Sequence, residues 1–357
     1  MTGPDFPWDA AGAAPPARPV LALTQGDPAG IGPEILLKLF QEPAASLPWQ
    51  PLLVAERAAL EALRPSLPNA PWDRLTYLTG APASRRDLPA EGIPVLDPVG
   101  ERRTLVLGTS GPADAAGAMA ALDLGIELVD CGVADALVTA PVSKGSIAHH
   151  HLPGFKGHTD YLAEVCGLER YGRDYLMAFL APELQVALLN VHLPLRDALD
   201  GITGEAVAEA LDCLNRHTGG RIALAGLNPH AGEGGLLGGE EEAVLVPAVA
   251  AARERGLDVR GPESADSLFA RARRGEFDWV MALYHDQGLI AVKTSSFGLA
   301  TNWTVGLPFL RTSVDHGTAF PLAGRALADA GPLAAVVETT LELIAGELPR
   351  GRRLGAG

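Results

Sequence analysis

Three histidines, His192, His230 and His285, each follow a short apolar run that reads as a buried strand: Val186–Val191, Ile222–Leu227 and Trp279–Tyr284. They are embedded in VHLP, NPHAGEGG and YHDQG, surrounded by glycine, proline and carboxylates rather than by an apolar helix face. In an open α/β sheet, ligands bind beyond the carboxyl ends of the strands. Three neutral imidazoles with an open fourth position make a catalytic metal site rather than a closed structural one. One such histidine alone would more often be structural; repetition at three strand ends shifts the reading towards metal ligands in an enzyme.

Other polar groups could complete such a site. Asp286 stands beside His285, and Asp266 lies in SADSLF. Either could orient an imidazole, touch a metal or move a proton. Glu233 or the acids near Glu240 are candidate partners for His230, since metal-bound imidazoles usually need a second hydrogen-bond partner. Lys293 is a candidate clamp for a phosphate or carboxylate, the bland alternative being a surface lysine on a strand. Arg311 offers a planar fork to an oxyanion, and Asn302 flanks the same turn-rich stretch. GHTDYL places His158 and Thr159 at an expected helix start, where Thr159 could cap and free N–H groups suit a phosphate. The His149–His151 run reads as a solvated polar turn. In QGDPAGIGPE, between a strand and a helix, Asp27 is the residue that could carry more than a turn; its glycine spacing is neither the dinucleotide fingerprint nor a P-loop.

The elements that must position these groups alternate between strand-like and helix-like patterns, which favours a mostly parallel sheet. Val20–Thr24, Pro51–Ala55 and Ala136–Ala140 read as strands, and Pro33–Phe40 and Ala113–Val129 as helices. Residues 64–103 are proline-rich and weakly patterned. Tyr175–Leu180 and Gln185–Val191 flank Ala181–Pro182–Glu183 and suggest a β-hairpin. Glu205–His217, Glu240–Arg255, Ser267–Arg274 and Val336–Ile344 read as helices.

The chain has 357 residues and 43 acidic against 28 basic groups, a net charge of −15. That balance argues against nucleic acid or an anionic membrane as partner, so an anionic substrate must be held by local basic groups. No segment approaches the roughly 18 apolar residues of a membrane helix. Three cysteines without a CxxC pair suit a reducing cytoplasm. Residues 1–18 lack a basic start and an apolar run and read as a disordered extension rather than a signal peptide; Arg350–Gly357 is expected to be loose.

GDPAGIGPE, TAPVSK, GHTDYL, LNPHAGEGG, YHDQG and GLPFLRTSVDHGTA, in this order, resemble the 4-hydroxythreonine-4-phosphate dehydrogenase family of vitamin B6 biosynthesis, from about Val20 to about Ile344. The resemblance implies two α/β/α domains around a central cleft, as in isocitrate and isopropylmalate dehydrogenases. The expected domains are residues 19–148 with 320–357, and 149–319 carrying the metal ligands. It implies a divalent cation (zinc, magnesium or cobalt) on His192, His230 and His285, at a homodimer interface with ligands from both subunits. Substrate would be held by His158, Thr159, Lys293, Asn302 and Arg311. His316, Gly317, Thr318 and Ala319 resemble the loop that contacts the adenosine of NAD or NADP in the relatives. The implied reaction is hydride transfer from 4-phosphohydroxy-L-threonine to NAD(P)+, then loss of CO2 to give 3-amino-2-oxopropyl phosphate. The general base stays open among Asp266, Asp286 and Lys293.

Competing expectations remain: oxidation of 4-phospho-D-threonate or 4-phospho-D-erythronate, a cis-dihydrodiol dehydrogenase, a non-redox metal hydrolase, and a non-catalytic binding protein. Two departures bear on the substrate. Leu236–Leu237 follow Gly235, and Trp303 beside Asn302 is expected to reshape the pocket there.

Overall fold

The structure, a computed structural model, describes residues 16–41, 47–296, 298–349 and 352–353. The expected disordered extension and loose tail fall almost wholly outside them. The chain divides into two compact units, one running up to Leu162 and including Pro308–Ala345, the other comprising Ala163–Leu307 with 346–349 and 352–353. Twelve strands make the main sheet structure of the two units, β1 (Val20–Thr24), β2 (Gln50–Val54), β3 (Leu75–Tyr77), β4 (Ile93–Leu96), β5 (Ala136–Thr139), β6 (Leu176–Ala181), β7 (Leu184–Leu188), β8 (Ile222–Ala225), β9 (Val259–Glu263), β10 (Trp279–Ala282), β11 (Thr301–Val305) and β12 (Leu310–Val314), beside a separate short antiparallel pair, Glu347–Leu348 with Arg352–Arg353.

In the first unit the order is β3-β4-β2-β1-β5-β12 and every pairing is parallel. Strands such as VLALT and ALVT are buried along their whole length, as strands of a parallel sheet covered on both faces must be. The weakly patterned stretch 64–103 holds the short strands β3 and β4 and little else that is regular. Helix Pro112–Asp130 opens with proline at its first turn, where the missing N–H costs nothing.

In the second unit the order is β11-β6-β7-β10-β8-β9. β6 and β7 form the expected hairpin, with Ala181 opposite Leu184. β7, β10, β8 and β9 run parallel. Phe179, Val186, Leu188, Val280 and Leu289 pack in its core.

Several elements depart from expectation. The contact-based units assign 149–162 and 308–319 to the first unit, because β12 pairs in parallel with β5, Arg311 opposite Leu137. β9, β11 and β12 are strands that the sequence concealed, β9 by the Gly-Pro in VRGPE and the other two by the polar residues of TNWTV and LRTSV. Lys293 lies on helix His285–Ser296, not on a strand. His149 and His150 close helix Lys144–His150 rather than forming a turn. The expected helix Glu240–Arg255 is a π turn, Glu241–Leu245, running into an α-helix, Val246–Glu254.

Candidate functional site

The second unit places His192, His285 and His230 after β7, β10 and β8, three neighbouring parallel strands with β10 in the middle. Their carboxyl ends therefore open on the same edge of the sheet. The rings of His192 and His285 are 5.6 Å apart, centroid to centroid. Two imidazoles on one tetrahedral cation at about 2.1 Å would have centroids about 5 Å apart, so this pair has the spacing of a shared metal. His285 Nδ1 lies 2.7 Å from Asp286 Oδ1. A proton held on Nδ1 by that carboxylate leaves the Nε2 lone pair for a cation.

His230 occupies a different kind of backbone. Residues 230, 231 and 233 all have positive φ (54°, 51° and 46°), strained conformations for residues bearing a Cβ that are kept where surrounding structure enforces them. Glu241 enforces them here. Its Oε1 accepts from the amides of Leu227 (2.8 Å) and Asn228 (2.7 Å), and its Oε2 from Asn228 Nδ2 (2.8 Å). The acids near Glu240 thus hold the loop's backbone and Asn228 rather than the His230 imidazole. Gly232 lies so close that a Cβ there would stand 2.8 Å from Glu241 Oε2.

Two amides brace the strand ends against one another, neither singled out by sequence. Gln287 accepts from Leu283 N (2.7 Å) and donates to Gly226 O (2.8 Å), tying the His285 turn to the end of β8. Asn190 donates to Ala198 O (3.1 Å) and Leu283 O (3.2 Å), tying the His192 turn to the end of β10. Among the described residues, however, no three His, Cys, Asp or Glu side chains of one chain stand close enough to hold a metal ion. The three histidines share a sheet edge without closing into a triad within a single chain.

Asp266 opens helix Ala265–Arg273 and accepts from Ser264 Oγ at 2.7 Å. That hydrogen bond, with a smaller contribution from nearby His230, holds its carboxyl below the usual range. Lys293 is exposed on its helix. Asn302 lies on β11, its Oδ1 buried and without a hydrogen-bond partner among the described residues. Trp303, next along the strand, is buried and packs at a tilt against Trp279 with centroids 6.3 Å apart. Adjacent strand residues face opposite ways, so Trp303 fills the core instead of shaping a pocket at Asn302.

The first unit holds a second constellation. Arg311 on β12 is buried, and its Nη2 donates to Thr139 Oγ1 at 2.7 Å. Burial weakens the guanidinium's hold on its proton to about 9, which leaves it charged at neutral pH. His158 begins helix His158–Val165, with Thr159 buried in its first turn rather than capping it. Burial first, and then the charges of Arg311 and Lys144, push the His158 imidazole well below its ordinary range. Its Nε2 is buried with no hydrogen-bond partner among the described residues. A buried cation beside a neutral imidazole and a threonine hydroxyl makes a receptor for an oxyanion.

His316–Ala319 lies in the same unit. Ile31 N donates to Thr318 O at 3.1 Å, packing this loop on the one that carries Asp27. Gly317 has open space around it, and Ala319 turns the chain with a φ of 41°. Asp27 is fully buried; its Oδ1 accepts from Ala29 N at 3.0 Å, and burial raises its carboxyl above the ordinary range.

The family of the pyridoxal phosphate biosynthetic protein PdxA matches residues 49–340. The chain belongs to the PdxA family. It is 40% identical over 340 residues to the 4-hydroxythreonine-4-phosphate dehydrogenase of Neisseria meningitidis serogroup A, covering 93% of this chain and 99% of that protein. The crystal structure of 4-hydroxythreonine-4-phosphate dehydrogenase from Klebsiella pneumoniae matches with a TM-score of 0.79 at 32% identity, over 92% of this chain and 99% of that one. The terephthalate 1,2-cis-dihydrodiol dehydrogenase of Burkholderia xenovorans matches with a TM-score of 0.60 at 26% identity, over 93% and 99% of the two chains. The α/β fold expected from sequence is thus that of the PdxA family. No helix among the described residues is long and apolar enough to cross a membrane.

Proposed function

We propose that this PdxA-family chain is an NAD(P)-dependent dehydrogenase that oxidises 4-phosphohydroxy-L-threonine in pyridoxal phosphate biosynthesis. The observation that carries the substrate assignment is the buried Arg311, charged and set beside neutral His158 and Thr159 in a strongly acidic protein. A phosphate lying against the guanidinium, the imidazole and the threonine hydroxyl would be met by donors suited to an oxyanion, the guanidinium as a planar fork.

A nicotinamide cofactor, when bound, would supply the hydride acceptor, and the open backbone at Gly317 in His316–Ala319 is the proposed contact for its adenosine. Arg311, His158 and Thr159 bind and orient the phosphate. Lys293 and Asn302 are proposed for the remaining polar groups of the substrate. Asp266 is the proposed proton acceptor, ionised and exposed at the start of its helix, although the Ser264 hydrogen bond weakens it as a base; Asp286 instead fixes the His285 tautomer.

His192, His230 and His285 are the proposed divalent metal ligands, completed across two copies of the chain. The support is twofold. One chain alone leaves the triad open. Beside the histidines stand exposed apolar side chains: Leu193 and Leu195 after His192, Leu236 and Leu237 after His230, and Ile290 after His285. Exposed apolar side chains following each of the three histidines support a surface for a second copy of the chain.

The test is NAD(P)H formation from 4-phosphohydroxy-L-threonine beside 4-phospho-D-threonate and 4-phospho-D-erythronate, with and without a chelator. Turnover on the amino acid supports the proposal. Turnover confined to the hydroxy acids replaces the substrate. The similarity to a cis-dihydrodiol dehydrogenase favours a second reading, in which Arg311 takes an aromatic carboxylate; turnover of a terephthalate dihydrodiol alone would establish it.

A further inference from the structure

TAPVSK brings Lys144 to the start of a short helix, and the tertiary structure gives that lysine a definite place. Its side chain lies over Gly157, the residue before His158. A Cβ on Gly157 would stand 2.8 Å from Lys144 Cε and 3.2 Å from Nζ. Gly157 also has a φ of 144°, which residues with a side chain rarely adopt. Glycine therefore both permits the turn into the helix and leaves room for the lysine. Lys144 is exposed, and among the described residues no carboxylate pairs with it, although acids outnumber bases 43 to 28 along the chain. Its charge, like that of Arg311, acts on the His158 imidazole.

An ammonium placed against the backbone, next to a buried guanidinium and a buried imidazole nitrogen without a partner, matches a doubly charged ligand better than a singly charged one. Arg311 alone can balance one negative charge; a phosphate carries nearly two at neutral pH. We propose that Lys144 is a substrate-binding residue, its ammonium contacting the same phosphate as Arg311, His158 and Thr159. This rests on the assignment of those residues to the substrate phosphate.

Inorganic phosphate is titrated calorimetrically into the full-length protein and its Lys144→Gln, Lys144→Arg and Arg311→Gln variants. Losing one charge-assisted contact weakens binding about tenfold, so Lys144→Gln is expected to bind phosphate about tenfold more weakly and Lys144→Arg nearly as well as the parent. In parallel, NMR titration of His158 reads the local field: Lys144→Gln removes a repelling charge and raises the imidazole's pKa. A purely structural lysine would not produce both effects with rescue by arginine. Wild-type phosphate affinity in Lys144→Gln, with binding lost in Arg311→Gln, overturns this inference while sparing the site. Unchanged affinity in both variants overturns the phosphate site as well.

Discussion

The rings of His192 and His285 stand 5.6 Å apart although 93 residues separate them along the chain. Their strands β7 and β10 are parallel neighbours, with Val280 opposite Val186, so both turns leave the sheet at the same edge. This register sets the pair. His230, after β8 on the other side of β10, completes a row of three.

Replacing His230 by alanine is expected to abolish tight binding of a divalent metal and NAD(P)+ reduction while leaving the melting temperature of the metal-free protein nearly unchanged, because the side chain is exposed. Metal content after dialysis and turnover check this together. Full turnover without bound metal would remove the histidines from the site.

Gln287 is expected to act on the site through position. Gln287→Leu leaves Leu283 N and Gly226 O without their partner and should cost about 1–3 kcal/mol of stability. It should also lower metal affinity, since it loosens the turn that aims His285. Denaturant melts and metal titration measure the two effects; a stability loss with unaltered metal affinity would confine Gln287 to the fold.

Arg311→Gln should raise KM for a phosphorylated substrate about 10- to 100-fold, the value of one or two hydrogen bonds to a charged group. Its effect on kcat should be much smaller. Arg311→Lys should recover only part of the loss, because an ammonium cannot reproduce the fork. Steady-state kinetics decide it, and an unchanged KM would exclude Arg311 from substrate binding.

Asp27 carries a pH prediction. Its carboxyl is raised in the folded state, chiefly by burial. A group raised on folding contributes stability below its unfolded pKa and loses it as pH rises through the folded value. The parent protein should therefore lose this contribution above about pH 4, whereas Asp27→Asn has no proton to lose. The difference in melting temperature, variant minus parent, should become more positive from about pH 4 to pH 8. A difference that is flat or falls would show that Asp27 is stabilised as the anion.

Much of the candidate site was legible in sequence because its signals are local. Apolar runs ending in His192, His230 and His285 identify strands and the loops beyond them, and the α/β alternation follows from side-chain periodicity. The family motifs are contiguous in the chain and need no folding to be read. What sequence left open depends on distance across the fold. β9 is hidden by the Gly-Pro within VRGPE, and β11 and β12 by polar residues that break the alternation in TNWTV and LRTSV; pairing with neighbours, not propensity, makes them strands. Trp303 beside Asn302 looks like a pocket residue until the strand's alternation turns it into the core. Gln287, Asn190 and Glu241 are ordinary polar residues until their hydrogen bonds are seen to span strand ends. Residue types and their order determined the fold class, the family and the inventory of reactive groups. Only the tertiary structure decided which of them meet: strand order sets the row of histidines, burial pushes His158 and Arg311 down and Asp27 up from their ordinary titration ranges, and the room over Gly157 places Lys144 beside His158.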